Sequence, residues 1–257
     1  MYAEERQQAI TELVRTQGRA SVSALAEKFE VTGETVRRDL ASLERAGLLQ
    51  RVHGGAVRPG LLQIVDEQGL DERNASHIPE KAAIGRAASR FLPPDGGSIA
   101  LDAGTTTYQA ALNLPRDRRL SVVTSSVPIA GAVADHPSMT LYLVGGRVRG
   151  LTQAAVGAAT VSQLSTFRTS VAFIGTNGIS EELGLSTPDP EEAAVKSALV
   201  TSAQRVVVLA DSSKINREEF SAFAGLDDID VLITDPRIDP GFSAALSARG
   251  IELVIAA

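Results

Sequence analysis

The chain has 257 residues and no cysteine. That excludes disulfides, zinc–thiolate centres and thiol catalysis. Tryptophan is absent too, and aromatic residues make up only 4%. A chain that is 44% hydrophobic must therefore build its core from Ala, Val, Leu and Ile, which suits parallel strands packed under helices. The three histidines, His53, His77 and His136, lie far apart in sequence, so no metal site is expected. His77 is expected in solvent within a linker, and His136 in a loop that ends a helix. No membrane span is expected, because Thr152, Gln153, Thr160, Ser162, Gln163, Ser165 and Thr166 break up the uncharged stretch 150–167. The leading MYAEERQQ lacks the apolar core of a signal peptide. The expectation is a soluble, cytoplasmic protein.

An excess of positive charge is also lacking, since the net charge is −6. The charge is unevenly divided. Residues 1–58 hold nine Lys/Arg against eight Asp/Glu, a balance of +1, which leaves −7 for the rest. Nucleic-acid binding depends on the local field of one face, so overall acidity does not exclude it.

What is present centres on residues 31–54, VTGETVRRDLASLERAGLLQRVHG. Val36, Leu40 and Leu43 recur at helical spacing. Thr32 stands where an N-cap belongs and Gly47 where a helix stops. Thr35, Arg37, Arg38 and Ser42 fall on the other faces. Taken alone, this helix suits either a solvated charged surface or the DNA major groove, about 12 Å wide. Its context favours DNA. Residues 4–16 predict a helix, 17–19 a turn, and 21–29 a second helix capped by Ser21. The 30–31 turn into the third helix is too short for anything else, and helix, tight turn, helix is a DNA-binding unit. Residues 48–57 add a hairpin carrying Arg51 and His53, so 1–58 fits a winged helix-turn-helix. Residues 59–77 read as a linker, with a short helix around 61–65.

From residue 78 the pattern alternates. Short apolar runs over 98–101, 121–124, 140–144, 171–174, 206–209, 231–233 and 252–255 read as strands. Helices are expected over 79–91, 106–112, 127–134, 191–202 and 242–248. This is an α/β domain with a parallel sheet. Ligands of such sheets bind beyond the carboxyl ends of the strands. Those ends carry Asp102, Gly104, Thr105 and Thr106, then Thr124 and Ser125, then Gly145 and Gly146, then Gly175 and Asn177, and finally Asp211 and Lys214. Glycines, hydroxyls, aspartates and cations suit a small polyhydroxylated anion. Gly104-Thr105-Thr106 opens a helix whose free N–H groups favour a phosphate, with Lys214 as counter-charge. Glu192 and Lys196 stand four apart on one helix, either as a surface ion pair or facing the ligand. No GxGxxG or Gly-Lys-Ser/Thr loop is found, so no nucleotide cofactor is expected.

Taken together, VTGETVRRDLASLE, RVHGGAV, EKAAIGRAA, LDAGTTT, LVGGRVR, FIGTNGI and LADSSK resemble DeoR/GlpR-type bacterial transcriptional regulators over nearly the whole chain. The resemblance implies a repressor that binds double-stranded operator DNA as a homo-oligomer, dimer or tetramer, and is released by a phosphorylated sugar. It also implies a second domain similar to ribose-5-phosphate isomerases. Where those enzymes carry an Asp-rich catalytic loop, Gly175-Thr176-Asn177-Gly178 has no carboxylate, which points to a binder without turnover. MYAEERQQ, LTQAAVG and GLSTPDPEEAAVKSA look most like sugar-uptake and fructose-type repressors, so fructose 1-phosphate or a related hexose phosphate is the implied effector. Ser125 stands where the family often has Asn, and Gly33 departs from good helix formers. The alternatives are a sugar-phosphate isomerase-like enzyme with a fused DNA-binding domain and an interaction protein that binds neither ligand.

Overall fold

The computed structural model describes residues 3–17, 19–29, 31–52, 55–57 and 69–257. The chain divides into two compact units, 1–66 and 67–257. The expected helix at 61–65 lies outside the described residues.

The first unit runs α1 (Ala3–Gln17), β1 (Arg19–Ser21), α2 (Val22–Phe29), α3 (Gly33–Arg45), β2 (Gln50–Val52) and β3 (Gly55–Val57). Its core joins Ile10 and Val14 of α1, Leu25 of α2, and Val36, Leu40 and Leu43 of α3, with Leu49 and Ala56 from the ribbon. The stripe expected on α3 is therefore the buried one. The Thr32 side chain caps α3 by accepting from the Thr35 N–H at 3.2 Å. Gly47, at φ +71°, ends the helix. There the Leu48 N–H reaches back to Leu43 O at 3.0 Å, a left-handed stop that glycine adopts without strain. Arg19, expected in a turn, instead opens a strand, because Arg19–Ser21 pairs antiparallel with β3 and makes a three-stranded ribbon in the order β1-β3-β2. Three residues carry no periodicity of their own, so only the pairing reveals this strand.

The second unit opens with α4 (Leu70–Ala75), α5 (Ile78–Ala88) and a 3-10 turn. It continues with β4 (Ser98–Leu101), α6 (Thr105–Leu112), β5 (Leu120–Thr124), α7 (Val127–Ala134) and β6 (Met139–Leu143). A hairpin of β7 (Arg147–Arg149) and β8 (Ala154–Val156) leads to α8 (Ala158–Leu164) and β9 (Thr169–Gly175). Then come β10 (Gly178–Ser180), β11 (Gly184–Thr187), α9 (Pro190–Ser202), β12 (Ala203–Leu209), β13 (Ser221–Ala224), β14 (Val231–Thr234), α10 (Pro240–Ala248) and β15 (Glu252–Ile255). Residues 70–77, expected as linker, thus include a helix of this unit. The Leu70 N–H donates to Leu151 O at 3.1 Å. His77 is half-buried at the N-cap of α5, with φ +52°, rather than out in solvent.

Seven parallel strands form one sheet in the order β15-β14-β12-β9-β4-β5-β6. Side chains alternate between its faces. Ala172, Ile174, Val206 and Val208 face Leu199, Phe242 and Leu246 of α9 and α10. Val171, Phe173, Val207 and Leu209 face Ile84 and Ile129 of α5 and α7. The strand order reverses between β4 and β9, so a crevice opens beyond their carboxyl ends. Among the described residues no helix is long and apolar enough to cross a membrane.

Candidate functional site

The first candidate surface lies on α3. Arg37 and Arg38 are exposed, and Arg37 donates to Glu34 at 3.2 Å. Thr35 and Ser42 are half-buried, and the Thr35 hydroxyl bonds to that of Thr32 at 2.9 Å. The Ser21 hydroxyl accepts from the Ala24 N–H at 3.1 Å, as expected of a cap on α2. Ser21 and Thr32 therefore both stand at helix N-termini, where backbone N–H groups favour anions. The back of α3 is pinned by a pair that sequence reading missed. Asp39 is buried and accepts from Arg6 Nε at 2.6 Å and Gln7 Nε2 at 2.9 Å, both on α1. The Arg51 side chain and the whole of His53 lie outside the described residues.

The second candidate site sits at the reversal of strand order. Asp102, directly after β4, is almost completely buried. Its Oδ2 accepts from the Gly175 N–H at 3.0 Å and from Lys196 Nζ of α9. Lys196 also donates to Gly175 O at 3.0 Å and lies 5.5 Å from the centre of the Phe223 ring. Burial pushes the Asp102 carboxyl up, while the Lys196 charge and the hydrogen bonds from Lys196 and Gly175 oppose that. Glu192 and Lys196 are not a surface pair. Both are buried, and Glu192 accepts instead from Arg149 at 2.7 Å and from Thr152.

On one side of Asp102 lies a cleft lined by Arg73, Ser76, Lys81, Gly104, Thr105, Thr106, Gly175, Thr176, Asp211 and Lys214. Gly104 begins α6 without a side-chain cap, so the first N–H groups of that helix are not capped by it. Three cations converge here with one carboxylate. Asp211 is occupied locally by the Ser213 N–H at 3.1 Å and the Ser213 hydroxyl. Lys81 Nζ donates to Arg73 O and to Ser76 Oγ at 3.4 Å. Burial lowers its pKa to about 8, and Lys214 and Arg73 push the same way against Asp211. Burial also lowers Lys214, with Asp211 opposing. Cations crowded beyond their carboxylates suit a dianionic ligand.

On the other side of Asp102 is a small compartment lined by Ser125, Ala154, Val156, Glu192, Val195 and Lys196. The structure thus places Asp102, Ser125, Glu192 and Lys196 on this compartment and Gly104, Thr105, Thr106, Gly175, Asp211 and Lys214 on the cleft, the two joined through the Asp102–Gly175 hydrogen bond. Four expected residues line neither compartment. The Thr124 hydroxyl is taken by Leu101 O at 2.7 Å and the Ser126 N–H at 3.1 Å. Asn177 Oδ1 accepts from Thr187 at 3.1 Å. Gly145 O accepts from Thr160 at 3.0 Å, and a Cβ on Gly146 would meet that Thr160 hydroxyl. The packing of α8 thus explains Gly146, whereas a Cβ on Gly145 would meet open space.

Arg73, Ser76 and Lys81 were missed. Lys81 had a signal, because it shares the inward stripe of α5 with Ile84 and Ala88. A lysine on such a stripe calls for a reason.

Two family models cover most of the chain: a DeoR-like helix-turn-helix domain matches residues 6–60, and a DeoR C-terminal sensor domain matches 76–236. The HTH-type transcriptional regulator GlpR of Haloferax volcanii is 35% identical over 99% of this chain and 98% of its own. The HTH-type transcriptional repressor GlcR of Bacillus subtilis is 32% identical over 99% of this chain and 97% of its own. Among solved structures, ribose 5-phosphate isomerase A from Methanocaldococcus jannaschii aligns over 55% of each chain, with a TM-score of 0.41 and 17% identity. The full-length relatives are named as regulators, so the enzyme alternative gives way to regulation.

Proposed function

The chain belongs to the DeoR family of transcriptional regulators, and from that premise we propose that it represses sugar-metabolism genes until a phosphorylated sugar occupies its sensor unit. The observation that carries this reading is the convergence of Arg73, Lys81 and Lys214 on the start of α6 at the sheet's crevice. Arg73, Lys81, Lys214 and the N–H groups of Thr105 and Thr106 hold the phosphate. Asp102 and the Glu192–Lys196 region take the sugar. A hexose phosphate such as fructose 1-phosphate is the effector class.

On the first unit, α3 enters the major groove with Thr35, Arg37, Arg38 and Ser42 toward the DNA. Ser21 and Thr32 bring helix N-termini to the phosphates, and Arg51 and His53 extend the contact through the wing. Residues 1–58 are the DNA-reading part, and the sensor begins in the segment up to residue 78. Half-sites about 34–36 Å apart require at least two copies on one operator.

An operator obtained by selection from random duplexes tests both halves. Fructose 1-phosphate, or another hexose phosphate, should release the protein in a fluorescence-anisotropy titration. The Arg37→Ala, Arg38→Ala double variant should lose operator binding and keep sugar-phosphate binding. Unchanged operator affinity in that variant would overturn the role of α3. A panel in which no sugar phosphate alters operator binding would overturn the role of the sensor.

A further inference from the structure

Thr124, Ser125 and Ser126 place three hydroxyls in a row where β5 meets α7, and all three residues are buried. The Thr124 hydroxyl donates to Leu101 O, and Ser126 Oγ accepts from the Ile129 N–H as the cap of α7. Ser125 Oγ, between them, is buried without a hydrogen-bond partner among the described residues. Its backbone is fixed, because Ser125 O accepts from the Ala155 N–H of β8 at 2.8 Å. The hydroxyl therefore does nothing for the fold. A buried polar group left unpaired costs stability, so alanine would serve the ligand-free protein better.

Ser125 lines a cavity of about 10 Å³ that it shares with Asp102, Glu192 and Lys196, space for roughly one oxygen-sized group. The β7–β8 hairpin closes it with Ala154 and Val156. The same hairpin brings Arg149, and its connecting turn brings Thr152, to Glu192 Oε1. The two compartments are neighbours, because Gly175, which lines the phosphate cleft, is hydrogen-bonded to Asp102 and Lys196, which line this cavity.

We propose that the cavity is a hydroxyl-reading subsite, in which an effector with its phosphate at Gly104–Thr106 places one sugar hydroxyl between Ser125 and the side chains of Glu192 and Lys196. Ser125 then decides which sugar phosphate is accepted. The inference rests on the sugar-phosphate reading of the sensor and goes beyond it by separating what holds the phosphate from what selects the sugar. Inorganic phosphate fills only the cleft, whereas a hexose phosphate fills both compartments.

Calorimetric titration of the full chain with inorganic phosphate, ribose 5-phosphate, fructose 1-phosphate and fructose 6-phosphate tests this against Ser125→Ala and Lys214→Ala. Ser125→Ala should melt no lower than the parent and bind inorganic phosphate unchanged. It should bind the tightest hexose phosphate about tenfold more weakly, the worth of one hydrogen bond, and so narrow the spread across the panel. Unaltered affinity for every sugar phosphate would overturn the subsite, as would an equal loss for inorganic phosphate. Lys214→Ala should weaken all four ligands alike. If it weakens none of them, or if no sugar phosphate outbinds inorganic phosphate in the parent protein, the sugar-phosphate reading itself fails and the subsite with it.

Discussion

Lys81 holds three obligations on one ammonium: it supports α4 through Arg73 O, it touches Ser76, and it faces the cleft. With its pKa brought down to about 8 by burial, its charge changes just above neutrality. A phosphate ester is essentially dianionic above pH 7, since its second pKa is about 6. Bound phosphate favours protonated Lys81, so binding above pH 8 must take up a proton. Effector affinity should therefore fall as pH rises from 7.5 to 9.5, by up to about tenfold per unit. Titration calorimetry should show this in the parent and a flatter profile in Lys81→Met. Equal slopes in the two proteins would contradict the assignment. The ligand-free fold responds with the opposite sign. The unfolded chain keeps this proton up to about pH 10.4 and the folded one up to about 8, so between those values the lysine's contribution to stability grows with pH.

Gly33 is a different residue-scale case. A Cβ there would lie 3.4 Å from Val22 Cγ1 and 4.0 Å from an Arg37 nitrogen, both ordinary contacts. Gly33→Ala should thus raise first-unit stability by up to about 1 kcal/mol through helix propensity, seen as a higher melting temperature. If glycine is there to let a DNA phosphate approach the helix, operator affinity should drop in the same variant. Unchanged affinity would leave no role for it at the DNA.

At the scale of elements, α3 is held by charge as well as by its apolar stripe. Asp39, next to the stripe residue Leu40, is the buried partner of Arg6. Removing one partner of a buried pair strands the other, at about 3–5 kcal/mol. Asp39→Ala should unfold or nearly unfold the first unit, measured by its loss of circular dichroism at temperatures the parent tolerates. The sensor should still bind sugar phosphate. An intact first unit would mean that the pair is solvated in solution.

The same element shows what sequence reading can and cannot see. Val36, Leu40 and Leu43 announce a helix because periodicity is local. The seven sheet strands are legible because each is a short apolar run between helices. Arg19–Ser21, the β7–β8 hairpin and the β10-β11-β13 sheet are three- and four-residue strands fixed by partners elsewhere in the chain. LDERNA offers α4 no apolar stripe at all. The site divides likewise. Strand-end residues follow from a general rule about α/β sheets, and eight of the twelve named there line one of the two compartments. The Lys196–Asp102 pair joins residues 94 apart, so its partnership is visible only in the fold.

At the scale of the molecule, the two units have separate cores, one around Leu40 and the others around the parallel sheet. Scanning calorimetry should therefore resolve two transitions. A sugar phosphate at 100 times its dissociation constant adds about 2.7 kcal/mol to the unit that binds it, and should move only the sensor transition. Operator DNA should move the other. A single transition shifted by either ligand would mean that the units unfold as one.

Lys81 also counts in terms of valence. A protonated amine has three N–H bonds to give, and two are directed at Arg73 O and Ser76 Oγ. One remains. A phosphate oxygen can take it without displacing α4, so an arriving effector completes the set of bonds instead of competing for it. The consequence is mechanical: the helix where the chain enters the sensor becomes stiffer as the cleft fills. Amide hydrogen exchange across residues 70–81 should slow when a sugar phosphate binds.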